Sequence, residues 1–124
     1  MAFELDTVTG DITCRQGDSG SLSLSGIPSD KEYVLYWACR DSKNNIITEL
    51  SAVPVEGAVT FKFTPAITGT WTVPSGMRNK TYYWAVKLCY ADEDYEDTLI
   101  VGKNKTIASV NKLIVYPKVV EGTE

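Results

Sequence analysis

The chain contains no histidine in 124 residues. That absence removes the usual base of Ser-His-Asp and Cys-His catalysis, and a ligand from most zinc and iron sites. Gly17-Asp18-Ser19-Gly20 spells the surroundings of the nucleophile in trypsin-like proteases, yet nothing in the chain can take the serine proton. Cysteine is scarce. Cys14, Cys39 and Cys89 are an odd number, lie far apart and form no Cys-x-x-Cys pair, which argues for reduced, mostly buried thiols rather than a metal framework. A Cys39–Cys89 bridge is the alternative. The alternation speaks against it, because Cys89 runs in step with Lys87 and out of step with Trp84, Val86 and Leu88.

Long apolar runs are missing too, and none approaches the roughly 20 residues of a membrane-spanning helix. The opening Met1-Ala2-Phe3-Glu4-Leu5-Asp6 has neither a basic region nor an apolar core, so it does not read as a signal peptide and synthesis in the cytoplasm is expected. A cationic footprint is lacking: 12 Lys and Arg against 16 Asp and Glu leave a net charge of −4, which argues against nucleic acid. The acidity is local. Ala91 to Asp97 holds five of the acidic residues, and the rest of the chain sums to +1. No segment keeps a 3.6-residue apolar period over three turns, and we read no internal repeat and no low-complexity run.

What is present is alternation. Ile12 and Cys14 alternate with Thr13 and Arg15, and Leu22 and Leu24 with Ser21, Ser23 and Ser25, which predicts a hairpin turning at Gly17-Asp18. Glu32 to Arg40 reads as a long central strand with apolar residues on both faces, expected to be covered on both sides, a neighbouring subunit being one source of the cover. Asp41 to Asn45 is a polar turn, Ile46 to Val53 a returning strand ended by Pro54, and Glu56-Gly57 another turn. Ala58 to Thr64 places Val59, Phe61 and Phe63 inward. Pro65 to Lys80 reads as a crossing between sheets pinned by Trp71 and Val73. Thr81 to Tyr90 is a second long strand with Tyr82, Trp84, Val86, Leu88 and Tyr90 in one phase. Thr98 to Gly102 is a short strand and Thr106 to Tyr116 the last. About eight strands at such spacings predict an all-β sandwich. Residues 1–11 form a lead-in or edge strand, 12–117 the sandwich and 118–124 a polar tail.

Few constellations carry chemistry. Asp92, Asp94 and Asp97 are the weak candidates for a calcium site, but the loop lacks the glycine and terminal glutamate of a helix-loop-helix site and reads better as a solvated tip. Glu93 and Glu96 form a carboxylate pair without a demonstrable groove. No cofactor is expected. Tyr33, Tyr36, Trp37 and Tyr83 are the candidates for a contact surface, since Tyr and Trp are favoured at interfaces; Trp84 and one of Trp37 or Tyr36 are assigned to the core.

Arg15-Gln16-Gly17-Asp18 followed by Ser21-Leu22-Ser23-Leu24 resembles the opening of the immunoglobulin-like N-terminal domain of phage baseplate upper proteins, and of related tail proteins of phages and prophages of Gram-positive bacteria. Thr60-Phe61-Lys62-Phe63-Thr64 is similar to that family's middle strand, Gly69 to Met77 to its crossing segment, and Tyr82-Tyr83-Trp84-Ala85-Val86-Lys87-Leu88 to its aromatic strand. An acidic turn and Thr98-Leu99-Ile100-Val101-Gly102 follow in the same order. Ala85 stands where the family often has Asp, and three cysteines are unusual for it. The resemblance implies an immunoglobulin-like β-sandwich of about 7–9 antiparallel strands. It implies a non-catalytic structural part of a tail or baseplate in the virion, homo-oligomeric and docked on other tail or baseplate subunits, with no nucleic acid or membrane partner. A carbohydrate-binding or adhesion module is the rival reading, and an enzyme of unrecognised type a distant third.

Overall fold

The computed structural model describes residues 3–91, 94–99 and 110–118. It is an all-β sandwich with one short helix among the described residues. The strands are β1 (Glu4–Leu5), β2 (Ile12–Arg15), β3 (Gly20–Leu24), β4 (Tyr33–Arg40), β5 (Ile46–Ala52), β6 (Val59–Phe63), β7 (Lys80–Tyr90), β8 (Glu96–Thr98) and β9 (Asn111–Tyr116), with helix α1 (Pro65–Thr68) between β6 and β7. One layer runs β1-β2-β9-β7-β4-β5, with β8 pairing β7; the other is the pair β3-β6. Among the described residues all pairings are antiparallel except β2 with β9, where Ile12 lies beside Leu113 and Cys14 beside Val115.

The period-two pattern became strands because each apolar phase found a layer to face. Leu35, Trp37 and Cys39 of β4, Tyr82, Trp84 and Val86 of β7, and Leu113 and Val115 of β9 turn toward Leu22, Val59, Phe61 and Phe63 of the small layer. Aromatic rings fill the space between. Trp37 sits 4.7 Å from Phe63 edge-on, 5.9 Å from Trp71 and 6.2 Å from Trp84. Gly20 permits the N-terminus to join this core: a Cβ there would overlap the Phe3 ring, which stacks on Phe63 at 4.9 Å.

Two expectations are corrected. The strands flanking Gly17-Asp18 do not form a hairpin. Asp18 N–H closes a turn on the Arg15 carbonyl at 3.1 Å with Gly17 at φ 85°, but β2 then stays in the large layer while β3 pairs β6 in the other. The turn is a corner between layers, because the partner of each strand lies far along the chain. The antiparallel expectation also fails at β2–β9. Residues 1–11 include β1, a true edge strand.

The crossing from Pro65 to β7 holds as expected, with Trp71 fully buried and Val73 against the core. Thr64 caps α1, its hydroxyl accepting from Ile67 N–H at 3.3 Å, and Pro65 takes the first helical position. Tyr82 donates its hydroxyl to the Thr72 carbonyl at 2.6 Å, and Trp71 Nε1 donates to Thr48 Oγ1 at 2.8 Å. A buried tryptophan on β4, a tyrosine corner at the start of β7, and a β2-β9-β7-β4-β5 layer over β3-β6 are the marks of an immunoglobulin-like sandwich. Trp84 stands two residues after the corner tyrosine, where antibody domains carry a disulfide cysteine; all three cysteines here are free.

Candidate docking face

Among the described residues, the sandwich covers one face of its large layer and leaves the other bare. On β4 the outward residues are Val34, Tyr36, Ala38 and Arg40, on β7 they are Tyr83, Ala85, Lys87 and Cys89, and Glu49 lies alongside on β5. Among the described residues nothing covers this face. The strand from Tyr33 to Arg40 is therefore central, as expected, but its second apolar phase has no cover among the described residues. The outward Ile114 and Tyr116 of β9 are likewise only half-buried.

The register gives the face a pattern. Tyr36 pairs Lys87, Ala38 pairs Ala85 and Arg40 pairs Tyr83. The two strands carry the same five residues in kind, Tyr36-Trp37-Ala38-Cys39-Arg40 and Tyr83-Trp84-Ala85-Val86-Lys87. An antiparallel pair centred on Ala38 and Ala85 has a local two-fold axis through that centre. About it, tyrosine maps onto tyrosine, alanine onto alanine and cation onto cation. Inside the core the same relation stacks Trp37 on Trp84, with ring planes 23° apart. Outside, it makes a rectangle with an alanine mid-line and tyrosine and cation alternating at the corners.

Local bonds hold the cations. Lys87 Nζ lies 2.8 Å from Glu96 Oε1, and that partner raises the lysine above its ordinary value. Arg40 donates to the Asn44 carbonyl at 2.9 Å. At one end Tyr95 stacks on Tyr90 at 4.3 Å and closes a groove of about 550 Å³ with Tyr36, Lys87, Glu49, Asp94 and Glu96 among its lining.

The four contact-surface candidates separate. Tyr36 is 39 % exposed and Tyr83 half-buried, both on the bare face. Trp37 and Tyr33 are corrected. Trp37 is wholly buried at the centre of the core, and Tyr33 is buried with its hydroxyl on the Asp30 carboxylate at 2.7 Å, a bond that pushes the phenol up to about 12. Alternation alone leaves open which phase of β4 is the core; β7 and β6 decide it. Asp94 and Asp97 are exposed, Asp92 and Glu93 lie outside the described residues, and no metal-holding group of three His, Cys, Asp or Glu occurs among those described. No helix of the described residues is long and apolar enough to cross a membrane. The residues that sequence reasoning missed are Ala38, Ala85, Arg40 and Lys87; comparing the two long strands with each other would have found them. Comparison of the sequence with protein-family models and with curated proteins finds no match.

Proposed function

We propose that the chain is a structural component of a phage or prophage tail or baseplate that works by being docked against, without a catalytic step. The observation that carries this reading is the outer face of β4 and β7, which no described residue covers and where tyrosines and cations stand in register beside an alanine floor. Aromatic and Arg side chains of that kind are what protein contacts use as anchors. The ordered landmarks from Arg15-Gln16-Gly17-Asp18 to Thr98-Leu99 support the tail setting. The partners are further copies of the chain and other tail or baseplate subunits, and the location is the virion.

The test is sedimentation of particles from a host that carries the gene, probed with an antibody to the chain. The chain is expected to travel with intact tails; finding it only in the slow, free-protein fraction sinks the reading. One observation favours the rival carbohydrate-binding module. Tyr36 and Tyr95, each 39 % exposed, stand beside the Glu49, Asp94 and Glu96 carboxylates in the groove, an arrangement able to stack and hydrogen-bond a sugar ring. A glycan-array signal lost in a Tyr36→Ala variant would move the choice to it.

A further inference from the structure

The corner pattern on the bare face is self-complementary. An isologous contact between two copies needs a two-fold axis lying between the two faces. Suppose the axis runs along the strands. Then β4 of one copy lies over β7 of the other, Tyr36 meets the second copy's Lys87, and Arg40 meets the second copy's Tyr83. Suppose it runs across them. Then β4 lies over β4, Tyr36 meets the second copy's Arg40, and Tyr83 meets its Lys87. In neither case does a cation face a cation, because tyrosine and cation alternate around the rectangle.

Glu49 separates the two arrangements. It sits on β5 level with Ala38. An axis across the strands sets it against its own copy, carboxylate to carboxylate. An axis along the strands carries it to the far side of the second copy's β7. There Lys112, which pairs Tyr83, and Thr98, which pairs Lys87, flank its landing point. The alanine mid-line, where Ala38 faces the second copy's Ala85, lets two sheets approach to the ~10 Å of face-to-face packing. The long Arg and Lys stems absorb the offset that sheet crossing introduces.

We propose that the outer face of β4 and β7 is a homodimer interface, closed by a two-fold axis parallel to the strands, with each tyrosine set on a cation of the other copy and Glu49 beside Lys112. This names the contact within the assembly role proposed above and rests on that reading.

The experiment is sedimentation equilibrium of the full chain over a wide concentration range, with circular dichroism as the folding control. The wild type is expected to dimerise. The pair Tyr36→Ala and Tyr83→Ala, and separately the pair Arg40→Glu and Lys87→Glu, should weaken the dimer by roughly ten-fold or more, through four lost cation–π contacts. Glu49→Lys alone and Lys112→Glu alone should each weaken it, and the two together should restore it, an outcome that an axis across the strands does not produce. A wild type monomeric throughout, or a dimer indifferent to all of these variants, overturns the proposal. Failure of the charge swap to restore association overturns the axis. A monomer that still travels with tails defeats this inference alone, whereas a dimer absent from tails defeats the tail reading alone.

Discussion

Three thiols on one chain behave differently because each faces a different medium. Cys14 and Cys39 point into the core, and burial pushes Cys14 up to about 12 and Cys39 up to about 11. Cys89 lies half-buried on the outer face, where desolvation also raises it. Alkylation of the native protein, read by peptide mass spectrometry, is expected to reach Cys89 first and the other two only after denaturation. The raised values also predict a pH dependence. A buried thiol whose folded value exceeds the ordinary 9.0 contributes stability that is fully present below that pH. The contribution is lost as pH rises toward 11 and 12. The urea midpoint should hold up to about pH 9 and fall above it, and a midpoint unchanged through this range would contradict the burial of both thiols. The phase of Cys89 was legible in the sequence because Lys87 marks the wet side of its strand. The phase of Trp37 was not, since both faces of β4 carry large apolar side chains and only the opposing layer picks between them.

At the scale of elements, strands were readable and their partners were not. Val59, Phe61 and Phe63 alternate with Thr60, Lys62 and Thr64, and that pattern fits one structure only. The stretch from Ile12 to Ser25 fits two. A glycine-aspartate turn between alternating runs serves a hairpin and a corner equally, and the choice is made by β9 and β6, far along the chain. The five-residue echo between β4 and β7 can be read by laying the two strands side by side, but its meaning comes from the register that sets Ala38 against Ala85. The corner at the start of β7 gives a measurable element-scale consequence. Tyr82 is buried, and its hydroxyl ties β7 to the Thr72 carbonyl of the crossing segment. Tyr82→Phe keeps the ring and deletes that bond, so it should cost about 1 kcal/mol by urea unfolding. Tyr36→Phe, on the bare face, should stay within about 0.5 kcal/mol, and equal losses at the two positions would mean the corner bond contributes nothing of its own.

The whole molecule closes through its two ends. β2 reaches β9 in a parallel pairing, joining residues 12–15 to 113–116, and β1 then seals the edge beyond β2. Asp11 Oδ1 accepts from Lys112 N–H at 3.1 Å, and Trp84 Nε1 donates to the Gly10 carbonyl at 3.2 Å, so the lead to β2 is stitched to β9 and, beyond it, to β7. Contacts this distant in sequence are made late and slowly, because loop closure must come before any reward from pairing. They also carry a large part of the core. Phe3, Ile12 and Cys14 are buried, and removing them uncovers Leu113 and Val115 as well. Each buried apolar side chain of the larger kind contributes about 1.5–3 kcal/mol, against a total of roughly 5–15 kcal/mol for a domain. Deleting residues 1–15 should therefore take most of the stability and replace a sharp thermal transition with a broad one. A synthetic peptide of residues 1–18, added in excess, should restore the sharp transition, because β2 pairs with β9 through backbone bonds that do not need chain continuity. A truncated chain that still melts sharply within a few degrees of the full one would show that β7, β4 and β5 hold the layer together without the N-terminal strands.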